Sequence, residues 1–178
     1  MVKKFSTENY LLSPDTSNKS LFGEVLGIDH NRKESIFNVI EEKPLTIYLN
    51  SQEVVTAMTI GDHPEYLAIG FLYTQRMLTC KDDLTSVEFD PELDTVVVRT
   101  QNQTDFEHKL KKKTQTTGCA VGTVFGDIME GLDKISLKDS KLRVSWMYSL
   151  SNKINRTDSL YLQVGAIHGT VLCVKSKP

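Results

Sequence analysis

"PLTIYLNSQEVVTAMTIGDHPEYLAIGFLYTQRML", residues 44–78, changes its hydrophobic period once, and the fold class turns on that change. Its first part is rich in β-branched residues, so "PLTIYLN" (44–50) and "SQEVVTAMTI" (51–60) read as strands. "YLNSQEVV" reads as the hairpin between them, with Asn50 and Ser51 at the tip. After Gly61 the spacing becomes helical: Leu67, Phe71, Leu72 and Leu78 line one side. Asp62 can cap this segment and Pro64 suits its first turn, which predicts a helix over 62–78.

Outward from this stretch, "LFGEVLGI" (21–28) and "ESIFNVIEE" (34–42) read as further strands. "SVEFDPELDTVVVRT" (86–100) reads as a second hairpin, its turn marked by Asp90-Pro91. "FEHKLKKK" (106–113) predicts an edge strand that Lys111, Lys112 and Lys113 guard against pairing. Residues 1–20 are polar and expected to form a loose arm. Residues 21–113 are then a β-rich α+β domain with one long helix.

The character of the chain shifts at 113–117, which begins a second domain over 114–178. There "AVGTVFGDIMEGL" (120–132) predicts a short helix punctuated by Gly126 and Gly131. "VSWMYSLSNKI" (144–154) predicts another, starting near Arg143 or Ser145, with Trp146, Leu150 and Ile154 on one face. "LYLQVGAIHGTVLCV" (160–174) is expected to end as a buried strand. "TVLCV" is apolar on both faces, a pattern that calls for a layer above and below. The flank 165–175 is therefore expected to be covered by another copy of the chain or left bare.

The bulk numbers narrow the function class. With 178 residues, 39% hydrophobic and 25% charged, the chain has the balance of a soluble globular protein. A net charge of −2 leaves general nucleic-acid binding without electrostatic support. No apolar run approaches the ~20 residues that span a bilayer. "MVKKFSTENYLLSP" lacks the apolar core of a signal peptide, so the expectation is a cytoplasmic protein with no membrane partner. Three cysteines, Cys80, Cys119 and Cys173, are too few and too far apart for a disulfide framework or a zinc knuckle. His30, His63, His108 and His168 form no metal motif, and no structural metal is expected.

Chemistry concentrates in "QTTGCAVGTVFGDI" (115–128), which sets Cys119 between small residues. If a helix begins just after it, backbone N–H groups and the helix dipole lower the thiol's pKa from ~8.5 toward neutrality. Lys109, Lys111, Lys112 and Lys113 could add positive potential. A thiolate on an exposed turn, with no partner cysteine beside it, suits sulfur carriage as a persulfide. The plain alternative, equally compatible with the residues, is a small side chain filling a tight turn. Cys80 and Cys173 read as small buried hydrophobes. His168, close to Gly165 and Gly169, reads either as a satisfied structural residue or as part of a turn that approaches a ligand. "KLKKK" is a solvated strand edge or a lure for an anionic partner, and His63 marks the helix start.

Three passages together resemble the formate dehydrogenase accessory proteins, the sulfurtransferase family called FdhD. "EKPLTIYLNSQEVVTAMTIGDHPEYLAIGFLYTQRML" is similar to that family's first-domain signature, with its "LA-GF" core. "TTGCAVG" resembles its active loop, and "VGAIHGTVLC" its later Thr-Gly-Gly-Val-His segment. The resemblance implies a β-rich first domain followed by a cytidine-deaminase-like α/β/α domain. It implies that a cysteine desulfurase loads persulfide sulfur onto Cys119. The acceptor it implies is the molybdenum bis-molybdopterin guanine dinucleotide cofactor, destined for the formate dehydrogenase apoenzyme, with a homodimer as a further expectation. Gly122 stands where the family commonly has a second loop cysteine, and Val164 and Ala166 stand where threonine and the second glycine are usual. The family's downstream Glu-Asp-Val-Gly-Arg-His segment has no match, so the chain is expected to represent only the first part of the two-domain structure. Beside the sulfurtransferase stand two alternatives: a non-catalytic module that binds the cofactor or chaperones the dehydrogenase, and an inactive fragment.

Overall fold

The computed structural model describes residues 16, 18–78, 84–101, 113–115, 123–125, 136, 139 and 141–171. Its architecture mixes small sheets with few helices. Contacts divide it into two units, one within 42–137 and one formed by 11–41 with 138–178, whereas the sequence reading divides the chain at 113/114. Within the second unit, the strand Glu34–Ile40 contacts the C-terminal helix Leu160–Val164.

In the first unit, β3 (Lys43–Leu49) and β4 (Gln52–Thr59) form the expected antiparallel hairpin. Asn50 sits at its tip with φ +56°, a left-handed conformation that asparagine tolerates better than most residues. Its side chain is also a clamp. Thr100 N–H donates to Asn50 Oδ1 at 2.9 Å, and Asn50 Nδ2 donates to Thr100 Oγ1 at 3.1 Å. A register shift between Ile47 and Tyr48 inserts one extra residue in β4, and Val54 and Val55 are both buried there.

The second hairpin, β5 (Leu84–Asp90) and β6 (Thr95–Thr100), joins the first through a parallel pairing of β3 with β6. The sheet order is β4-β3-β6-β5. Asp90 shapes the turn by accepting from the N–H groups of Glu92 and Leu93, which is why an Asp-Pro pair ends the strand. Leu45, Ile47, Leu49, Val87, Val96 and Val98 are buried with Ala68 and Leu72 of α1 (Pro64–Thr74) in one cluster. The alternation of period two in β3 and β6 brings these residues to one face.

Helix α1 is shorter than the predicted 62–78, and its end explains why. Arg76 has φ +55°, Arg76 N–H bonds to Tyr73 O at 3.0 Å, and Met77 N–H reaches back to Leu72 O at 2.9 Å. This is a Schellman ending with arginine in the place that glycine usually takes. It turns Met77 and Leu78 into the core, 1% and 6% exposed. Leu78 is thus a core residue outside the helix, while Leu67 is 39% exposed and the buried helical positions are Pro64, Ala68 and Leu72. The N-cap is His63, not Asp62, and it offers no side-chain hydrogen bond to the helix.

Two short strands complete the described part of this unit: β7 (Lys113–Gln115) and β8 (Thr123–Phe125), paired antiparallel. The helix predicted over 120–132 is therefore corrected at 123–125. Thr123 and Val124 are β-branched and Phe125 aromatic, side chains that favour extended backbone. Of the edge strand predicted over 106–113, Lys113 is described and opens β7; residues 106–112 lie outside the described residues.

In the second unit, β1 (Phe22–Ile28) and β2 (Glu34–Ile40) form an antiparallel ribbon in unbroken register. Asp29 Oδ1 accepts from Asn31 N–H and Lys33 N–H and so shapes the connection between them. A Cβ on Gly27 would come within 2.9 Å of the Phe37 ring, so glycine lets that ring lie across the ribbon. Helix α2 (Val144–Arg156) matches the predicted one, and Trp146, Leu150 and Ile154 are less exposed than Met147 or Tyr148. The Arg143 guanidinium stands 5.5 Å from the Trp146 ring centroid. Helix α3 (Leu160–Val164) starts at Ser159, whose Oγ accepts from Leu162 N–H, and it buries Leu160. The buried strand predicted near 170–174 is not found at Thr170 and Val171, which are exposed and irregular; residues 172–174 lie outside the described residues. Among the described residues, no helix is long and apolar enough to cross a membrane.

Candidate functional site

Cys119, the residue singled out for chemistry, lies outside the described residues, as do Cys80 and Cys173. The structure does describe the strands through which the chain passes before and after "TTGCAVG". Gln115 of β7 stands opposite Thr123 of β8, and Lys113 stands opposite Phe125. A helix end close behind Cys119 was one ground for expecting an acidified thiol. At 123–125 the backbone is extended, so that ground has no support there. Of the lysine run, Lys113 alone is described, at the start of β7.

His168 lies in the irregular segment after α3 and is exposed. Two left-handed residues precede it: Gly165 with φ +64° and Ala166 with φ +51°. Glycine suits such a backbone and alanine does not, so Ala166 carries a conformational cost of roughly 1 kcal/mol. Its neighbour Gly169 is not required by crowding, since a Cβ there would meet nothing within 4 Å. The structure therefore gives this segment a glycine-type backbone without a close approach at Gly169.

His63 has more individual character than a helix marker. It precedes proline yet adopts φ +47°, ψ 56°, in place of the extended backbone usual before proline. Its Nε2 is buried without a hydrogen-bond partner, 3.5 Å from Asp62 Oδ1, and its ring meets Tyr66 edge-on with centroids 5.9 Å apart. The side chain as a whole remains 40% exposed. Nothing in the sequence pattern signalled this arrangement, because it depends on the left-handed turn at His63. On the sheet, Tyr48 donates to Glu53 Oε2 at 3.2 Å. That hydrogen bond, with the negative charge of Glu53, raises the Tyr48 pKa above its ordinary value. No three His, Cys, Asp or Glu side chains among the described residues converge as a metal-binding group.

Comparison with known proteins supplies what the described side chains do not. The chain is 26% identical over 140 residues to the sulfur carrier protein FdhD of Listeria innocua, covering 76% of this chain and 54% of that one. It is 26% identical over 140 residues to the sulfur carrier protein FdhD of Wolinella succinogenes, covering 77% and 48% respectively. The chain thus spans about half the length of the curated relatives it matches. A solved structure from Desulfotalea psychrophila, provisionally designated a formate dehydrogenase accessory protein, aligns with 46% of this chain and 35% of its own. The TM-score is 0.40 at 21% identity. The sequence profile of the FdhD/NarQ family matches residues 40–177, well over half of the chain, and the protein belongs to that family.

Proposed function

We propose that the protein is a sulfur carrier in formate dehydrogenase maturation, with Cys119 as the persulfide acceptor. The observation that carries this reading is the family membership across residues 40–177, a span that includes "TTGCAVG" with its cysteine. In the loading step, the Cys119 thiolate attacks the outer sulfur of a persulfide on a cysteine desulfurase. The bond from that sulfur to the desulfurase cysteine breaks, the desulfurase thiolate leaves, and Cys119 carries the sulfur. The proposed recipient is the bis-molybdopterin guanine dinucleotide cofactor, before it enters the formate dehydrogenase apoenzyme. A cytidine-deaminase-like second domain and a cytoplasmic location belong to the same reading.

Gly122 in the second cysteine position favours a second reading, a module that binds cofactor or apoenzyme without moving sulfur. One experiment separates the two. The protein is incubated with a cysteine desulfurase and sulfur-labelled cysteine, and label released by a thiol reductant is counted. A carrier gains releasable label, Cys119→Ser loses it, and Cys80→Ser and Cys173→Ser keep it. Absence of label on the wild-type chain, or equal label on Cys119→Ser, would overturn the carrier role of Cys119.

A further inference from the structure

We draw no further inference here: the strongest candidate, the apolar face of the β1–β2 ribbon formed by Leu26, Ile28 and Ile36, is an unpartnered surface, and nothing in the structure shows what covers it.

Discussion

Asn50 shows how one side chain can serve local and long-range structure together. Its left-handed backbone closes the β3–β4 hairpin, and its amide joins that tip to Thr100 at the end of β6. Asn50→Ala removes both bonds and puts a Cβ residue without local compensation into the left-handed region. The expected loss is about 1–3 kcal/mol of stability, read from the urea midpoint. Asn50→Gly keeps the backbone and should lose less; equal losses would show that the Thr100 clamp alone matters. Tyr48 makes a different kind of prediction. Its pKa is raised in the folded protein because its neutral hydroxyl donates to Glu53. The associated stability is therefore present below the unfolded tyrosine value near 10 and lost as pH rises through the higher folded value. Tyr48→Phe should flatten this part of an alkaline denaturation profile, and an unchanged profile would count against the assigned cause.

Helix α1 is the element whose boundaries carry the most information. Its last turn is held by the backbone bonds of Arg76 and Met77, and the turn seats Met77 and Leu78 in the core. Position 76 needs φ near +55° whatever its side chain does. Since both changes remove the same side chain, Arg76→Gly should be more stable than Arg76→Val by about 1–2 kcal/mol, because a β-branched residue resists that conformation and glycine does not. Thermal or urea unfolding of the two variants checks the order, and a reversed order would refute the Schellman assignment. The helix itself was legible from Pro64 and the spacing of its apolar residues. Its end was not, because arginine is no stop signal and the turn depends on the core that receives Met77. At β8 the error ran the other way. Gly126 and Gly131 suggested a helix with breaks, but Thr123, Val124 and Phe125 pair with β7 instead.

Across the whole molecule, burial is unequally shared. The core cluster comes from the four-stranded sheet, α1 and the turn that follows it, whereas among the described residues of the second unit the buried apolar ones are Leu21 and Leu160. Leu26, Ile28 and Ile36 are 67%, 72% and 67% exposed on one face of the ribbon. Surface of this kind binds hydrophobic dyes and promotes association. Ile36→Lys should lower dye fluorescence and light scattering and shift stability by no more than about 0.5 kcal/mol, as befits an exposed site. A large loss of stability would mean that Ile36 packs in solution against something beyond its present neighbours.

The sequence by itself determined the β3–β4 and β5–β6 hairpins, a helix with Pro64 in its first turn, the helix over Val144–Arg156 and, through three short passages, the family. These features rest on local chemistry: period-two alternation, turn residues at Asn50 and Asp90, a proline in the first helical turn, and a stripe at helical spacing. Cys119 was visible as a residue type in a glycine-flanked stretch, and the role proposed for it rests on that stretch and on the family membership. Tertiary structure decided where α1 stops, which strand Thr123–Phe125 joins, and how His63 sets its ring against Tyr66. It also decided that the parallel contact between β3 and β6 unites two hairpins far apart in the chain. Such pairings depend on which apolar faces can be buried together, and no local window of sequence contains both partners.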